Sequence, residues 1–178
     1  MATDTKRGPY AKGLARRAQI LEAALEAYAT SGRQGPSLRS IADSVGLTEA
    51  GVLHYFDSKD ELLVEVLAAR DRADAATFDL TTLDGLLAVV AYATETPGLV
   101  KLFVDMTAAS GSPEHPAHDF MKRRSQNILG MLENQLGRQS AWKARVLLAA
   151  AEGLQVQWLR DSSVDIVADL RRLYRTLA

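Results

Sequence analysis

A chain of 178 residues with 47% apolar content can bury one sizeable core, or a small module joined to a larger one, and is not compositionally disordered. The absence of cysteine removes disulfides, thiolate nucleophiles and cysteine-based zinc sites together. A formal net charge of −1 conceals an asymmetry, because Met1 to Arg17 holds Lys6, Arg7, Lys12, Arg16 and Arg17 against Asp4 alone, so the remaining sequence is acidic in sum.

Met1 to Lys12 contains Gly8 and Pro9 among polar residues and reads as an arm. From about Gly13 the pattern becomes helical, with Ile20, Leu21, Ala24, Leu25 and Tyr28 on one stripe. Gly32 and "RQGPS" (33–37) break it. Ser37 is placed to cap a second helix with Leu38, Ile41, Ala42 and Val45 inward, and Gly46 ends it by taking a positive φ. Thr48 caps a third short helix, expected to carry Val52, Leu53, Tyr55 and Phe56, with Leu53 and Phe56 as core residues. Ser58 and Glu61 have capping-box spacing at the start of a fourth helix that runs past Arg70.

The rest keeps a helical period without strand alternation. Thr82–Ala93 forms one unit, Thr96–Pro97 opens the next, "SGSPEHP" (110–116) is a loop, and a helix runs from about His118 to Leu136. Ser140–Leu159 and Ser163–Leu177 are the last two helices. The fold class is all-α, about nine helices. No apolar run approaches the ~18 residues of a membrane span, and the N-terminus has no apolar centre, so no membrane partner and a cytoplasmic location are expected.

Two short helices joined by a glycine turn form a helix-turn-helix pattern, which holds the second helix out toward a major groove about 12 Å wide. Small residues at its start, Ala50 and Gly51, permit close backbone approach, and Ser37 and Thr48 stand at helix starts that bind phosphate. By itself the pattern also fits any αα-corner. His54 and Tyr55 lack a companion carboxylate in sequence, which argues against acid–base chemistry and so against an enzyme.

The stretches "RRAQILEAALEAYATSG" and "PSLRSIADSVGLTEAGVLHYFDSKDELL" resemble the tetracycline-repressor (TetR) family of bacterial transcriptional regulators. The resemblance covers roughly the first third of the chain. It implies a helix-turn-helix DNA-binding domain over 1–58 and a helical effector-binding and dimerisation domain over 59–178. It also implies double-stranded operator DNA, a small-molecule effector and a second copy of the chain as partners, with no cofactor and no metal. Lys12, Arg16, Arg17, Ser37, Arg39, Thr48 and Lys59 fall where family members meet the DNA backbone, while Glu49, Ala50, Gly51 and His54 fall on the reading surface. Leu53 stands where many members have a phosphate-binding tyrosine, so Tyr55 or His54 is the candidate substitute. Lys6 and Arg7 are candidates to reach an adjacent minor groove.

In the later helices Phe78, Tyr92, Phe103, Met106, Phe120, Met121, Met131 and Trp158 are candidate pocket residues, because aromatic and methionine side chains make adaptable apolar walls. Leu147, Ala150, Leu154, Leu170, Leu173 and Leu177 form stripes on the last two helices and are candidate dimer contacts. His115 and His118, three residues apart beside Glu114 and Asp119, are a weaker candidate for a metal or anion. The competing functions are a helical small-molecule-binding protein or enzyme without DNA binding, and an architectural DNA-binding protein with a filled C-terminal core.

Overall fold

The computed structural model describes residues 9–137 and 140–178. They form α1 (Pro9–Thr30), α2 (Leu38–Ser44), α3 (Glu49–Leu53), α4 (Lys59–Thr77), α5 (Leu83–Ala93), α6 (Pro97–Ala109), α7 (Ala117–Leu136), α8 (Ala141–Arg160) and α9 (Ile166–Leu177). No strand occurs among the described residues.

Local chemistry sets most boundaries. Ser37, Thr48, Ser58, Thr82 and Asp165 each accept a hydrogen bond from a backbone N–H of the first turn, at α2, α3, α4, α5 and α9. Gly46 has φ of 65°, a left-handed conformation that a side chain would resist, and it closes α2. The first helix starts at Pro9 rather than near Gly13, since proline suits a first helical turn and one glycine does not break a strong amphipathic pattern. The third helix is shorter than expected. It ends at Leu53, and His54 to Phe56 form the turn that follows, because Phe56 must swing inward before Ser58 starts α4.

The largest core cluster joins Ile20, Ala24 and Tyr28 of α1, Ile41 and Ala42 of α2, Val52 and Phe56 around α3, and Leu62, Val66 and Leu67 of α4. The same cluster continues into Leu99, Leu102, Phe103 and Met106 of α6 and Met121 of α7, so it crosses residue 58 without a break. The α1–α6 contact is tight at Gly98. A Cβ there would stand 2.1 Å from the Ser31 hydroxyl oxygen and 2.4 Å from the Tyr28 carbonyl oxygen, so the crossing requires glycine. A second cluster centres on Leu87, Val100, Trp158, Ile166 and Leu170, and a third on Leu132, Ala144 and Leu147.

Among the described residues buried charge is confined to α4, where Arg70 and Asp74 form an i,i+4 pair at 3.5 Å and Arg70 also donates to the Leu99 carbonyl. Burial pulls the Arg70 guanidinium down and pushes the Asp74 carboxyl up from their ordinary ranges, each opposed by the charge of the other.

Candidate nucleic-acid interface and a helical cavity

The short third helix is anchored from within. Val52 is fully buried and Phe56 is 3% exposed, while Thr48, Glu49, Ala50, Leu53 and His54 are exposed and Gly51 is half-buried. Leu53, expected in the core, is 37% exposed, because the inward side of this five-residue helix is used up by Val52 and the turn that delivers Phe56. Tyr55 packs half-buried against the first core cluster and meets the His54 ring edge-on at 5.5 Å. Thr48 caps the helix by accepting from the Gly51 N–H at 3.0 Å, and a Cβ at Gly51 would press to 3.3 Å from that hydroxyl oxygen. A mixed apolar and polar outer surface results, on a helix where a side chain at Gly51 would crowd the Thr48 cap.

Around it, Lys12, Ser37, Arg39 and Lys59 are exposed. Among the described residues Lys12, Arg39 and Lys59 make no ion pair. Arg16 donates to Gln19 and to the Val45 carbonyl, tying α1 to the turn between α2 and α3.

Arg17 is placed differently from its expected role at the DNA backbone. Its guanidinium is bonded to Glu65 and Glu61 of α4, donates to the Tyr55 carbonyl at 3.1 Å and lies 4.5 Å over the Phe56 ring centroid. Hydrogen bonding to Glu65 raises its already high pKa. With four partners it is a clasp between α1, the turn after α3, and α4, and four of its five N–H donors are used within the chain. Lys6 and Arg7 lie outside the described residues.

The two remaining histidines point apart. His115 Nε2 meets Asp60 at 3.3 Å while its Nδ1 accepts from the Ala117 N–H, and His118 Nδ1 stands 2.8 Å from the Ser110 carbonyl oxygen. Among the described residues no group of three His, Asp or Glu side chains could hold a metal ion.

A cavity of about 470 Å³, partly open to solvent, lies between α4, α5, α7 and α8, with Phe103 of α6 and Leu170 of α9 also in its wall. Of the expected pocket residues, Phe103, Phe120 and Met131 line it. Met106 and Met121 instead complete the first core cluster, and Trp158 is buried in the second beneath the Arg33 guanidinium, 5.5 Å away. Phe78 and Tyr92 form a tilted aromatic pair outside the cavity, with Tyr92 47% exposed. Most of the wall is aliphatic, including Leu83, Leu86, Ile128 and Leu148; its charged part is Asp71, Asp74, Arg123, Arg124 and Glu152, and Asn127 and Gln155 add neutral polar groups. A readable signal existed for Asp74. It follows Leu63, Leu67 and Arg70 at the four- and three-residue steps of one helical stripe, all of them buried.

Of the six residues expected at a dimer contact, two are buried in the single chain and four are half-buried. Leu147 and Leu170 are buried and line the cavity, while Ala150, Leu154, Leu173 and Leu177 pack on the second and third clusters. The outer surface of α8 carries a different stripe: Trp142 and Val146, exposed at 53% and 41%, followed by Ala149, Gly153 and Val156.

A family model for bacterial regulatory proteins of the tetR family matches residues 20–66. The transcriptional regulator PksA of Bacillus subtilis is 31% identical over 163 residues, covering 82% of this chain and 80% of that protein. The transcriptional repressor KstR2 of Mycolicibacterium smegmatis is 33% identical over 95 residues, which span 48% of this chain but only 44% of that relative's length. Among solved structures, a TetR transcription regulator from Haloarcula marismortui superimposes with a TM-score of 0.72 at 20% identity, over 93% of this chain and 97% of its own. That likeness concerns the fold.

Proposed function

This chain belongs to the TetR family of bacterial regulatory proteins, and from that premise we propose that it is a cytoplasmic, DNA-binding transcriptional repressor. It binds a palindromic operator as a homodimer and is released by a small-molecule effector. The observation that carries the reading is α3 itself: a short helix pinned by Val52 and Phe56 that leaves Glu49, Ala50, Leu53 and His54 outward. A helix so held presents base-reading groups without reorganising. Lys12, Arg16, Ser37, Arg39, Thr48 and Lys59 flank it as phosphate contacts, Gly51 lets the backbone approach, and Arg17 acts through position rather than touch. Tyr55, held half-buried by the core, keeps its hydroxyl as the candidate for the phosphate contact that Leu53 cannot make. The residues up to 58 form the reader and those from 59 the effector and dimer domain, with α4 and the common core joining them.

Selection of bound DNA from a random pool tests this directly. An inverted repeat should be enriched, and a chain that enriches no sequence would sink the proposal. On the selected DNA, Arg39→Ala and Lys59→Ala should each weaken binding across sequences and lower the slope of log K against log salt by about 1. Unchanged slopes for both would remove these residues from the phosphate set.

The effector part is supported by the cavity, whose volume lies in the range of small-molecule sites and which a purely architectural protein has no need to keep. Reading a palindrome requires two α3 helices about 34–36 Å apart, and an effector that prefers another separation shifts the population away from DNA. For the dimer, the outer stripe of α8 is the better candidate than the inward leucines. Trp142, Val146, Ala149, Gly153 and Val156 recur at four- and three-residue steps, and Gly153 has nothing within 4 Å of a Cβ, leaving room for a second helix. Val146→Glu should convert the sedimenting species from dimer to monomer and abolish operator binding at nanomolar protein. A dimer that survives Val146→Glu would place the contact elsewhere.

A further inference from the structure

The charges that face the cavity are unevenly matched. Arg124 donates from Nε and Nη2 to both carboxylate oxygens of Asp71, at 2.9 and 3.2 Å, and its guanidinium lies 4.8 Å over the Phe103 ring. Arg70 faces Asp74 from one helical turn away. Arg123 is exposed to solvent. Glu152 of α8 is half-buried, stands in the wall shared with a smaller cavity, and meets no basic side chain in ion-pair range among the described residues. Arg70 and Arg124 are therefore committed and Arg123 is exposed, without an ion pair among the described residues, while the Glu152 carboxylate is left over in a wall common to the large cavity, with Phe120, Met131, Leu148 and Ala151, and the smaller one, with Thr107, Lys122 and Ser125.

A half-buried carboxylate without an ion-pair partner costs stability that the chain itself does not recover. The cost is visible in the group's titration, since burial pushes the Glu152 carboxyl up and only Arg124, acting at a distance, opposes it. A bound cation would offset it. An anionic ligand has the opposite difficulty. Arg123 is exposed to water, which screens its charge, and to reach Arg124 the ligand must break the two-bonded pair with Asp71 and strand that carboxylate beside Asp74, which is itself buried.

We propose that the effector is an amphipathic organic cation, with its apolar body in the 470 Å³ cavity and its ammonium or similar group against Glu152. The inference rests on the effector reading above and names the chemical class that reading leaves open. The Phe120 ring offers a second, electrostatically negative surface to such a cation.

Isothermal titration of the full chain with three ten-carbon probes, decyltrimethylammonium, decanol and decanoate, below their aggregation limits, decides the matter. The cation should bind one-to-one per chain and at least about tenfold tighter than the alcohol, a gap equal to one decade in Kd. Glu152→Gln should close that gap while leaving decanol unchanged, and Glu114→Gln, on the exposed loop before α7, should leave all three unchanged. Decanoate binding best, or a cation affinity that survives Glu152→Gln, would overturn the cationic class and leave the effector cavity standing. No binding by any probe would overturn both.

Discussion

Gly98→Ala is expected to lower stability by about 2–3 kcal/mol, the overpacking range, and to depress Tm by roughly 5–10 °C for a chain of this size. The added methyl has nowhere to go, since it would lie 2.4 Å from a backbone oxygen of α1 as well as 2.1 Å from the Ser31 hydroxyl. A serine hydroxyl can rotate away, but the Tyr28 carbonyl moves only with its helix, so α1 and α6 must separate. Alanine's higher helix propensity returns at most about 1 kcal/mol and does not change the sign. The comparison that isolates the effect is Gly130→Ala in α7, where nothing lies within 4 Å of the new Cβ and a gain of up to about 1 kcal/mol is expected. Thermal melts of the two variants with the parent chain suffice. Equal behaviour would mean that the α1–α6 crossing is looser than described.

Arg17→Ala is expected to cost about 2 kcal/mol, in the range of hydrogen bonds to charged groups and below that of a fully buried pair, because the side chain is 32% exposed. Removing the guanidinium leaves Glu61 and Glu65 facing each other without a counter-charge and unties the Tyr55 carbonyl and Phe56 ring that end α3. Operator affinity should fall as well, yet with an unaltered salt slope, since no phosphate contact is lost. A slope reduced by about 1 would instead show Arg17 on the DNA backbone. Arg17→Lys should recover little, because one ammonium cannot span two carboxylates and a carbonyl as the planar fork does.

Much of the fold was legible because its signals are local. Ser37, Thr48, Ser58 and Thr82 cap as their side-chain chemistry requires, and Gly46 takes the left-handed turn that joins the two short helices. What escaped depends on which side of a helix meets which neighbour. Leu53 reads as core by residue type, but a five-residue helix has room for one inward residue per turn, and Val52 holds it. The leucines of α8 and α9 read equally well as interface or interior, and only the packed chain puts Leu147 and Leu170 against its own cavity. Arg17 reads as a DNA-backbone contact by resemblance to the family, whereas its partners Glu61 and Glu65 lie more than forty residues away in sequence. The cavity followed the same rule: sequence favours aromatics and methionine, whereas leucine, isoleucine and valine outnumber them in the wall, with charges set among them.

The core that runs unbroken from Ile20 to Met121 bears on how such a regulator can be rebuilt. A hybrid cut at residue 58, joining these first helices to an unrelated effector domain, would ask Tyr28 and Phe56 to pack on a surface shaped for other residues. The transferable piece is larger. It includes α4 and α6, which complete the interior of the reader, so new specificity is better introduced by exchanging the few outward residues of α3 than by exchanging whole domains.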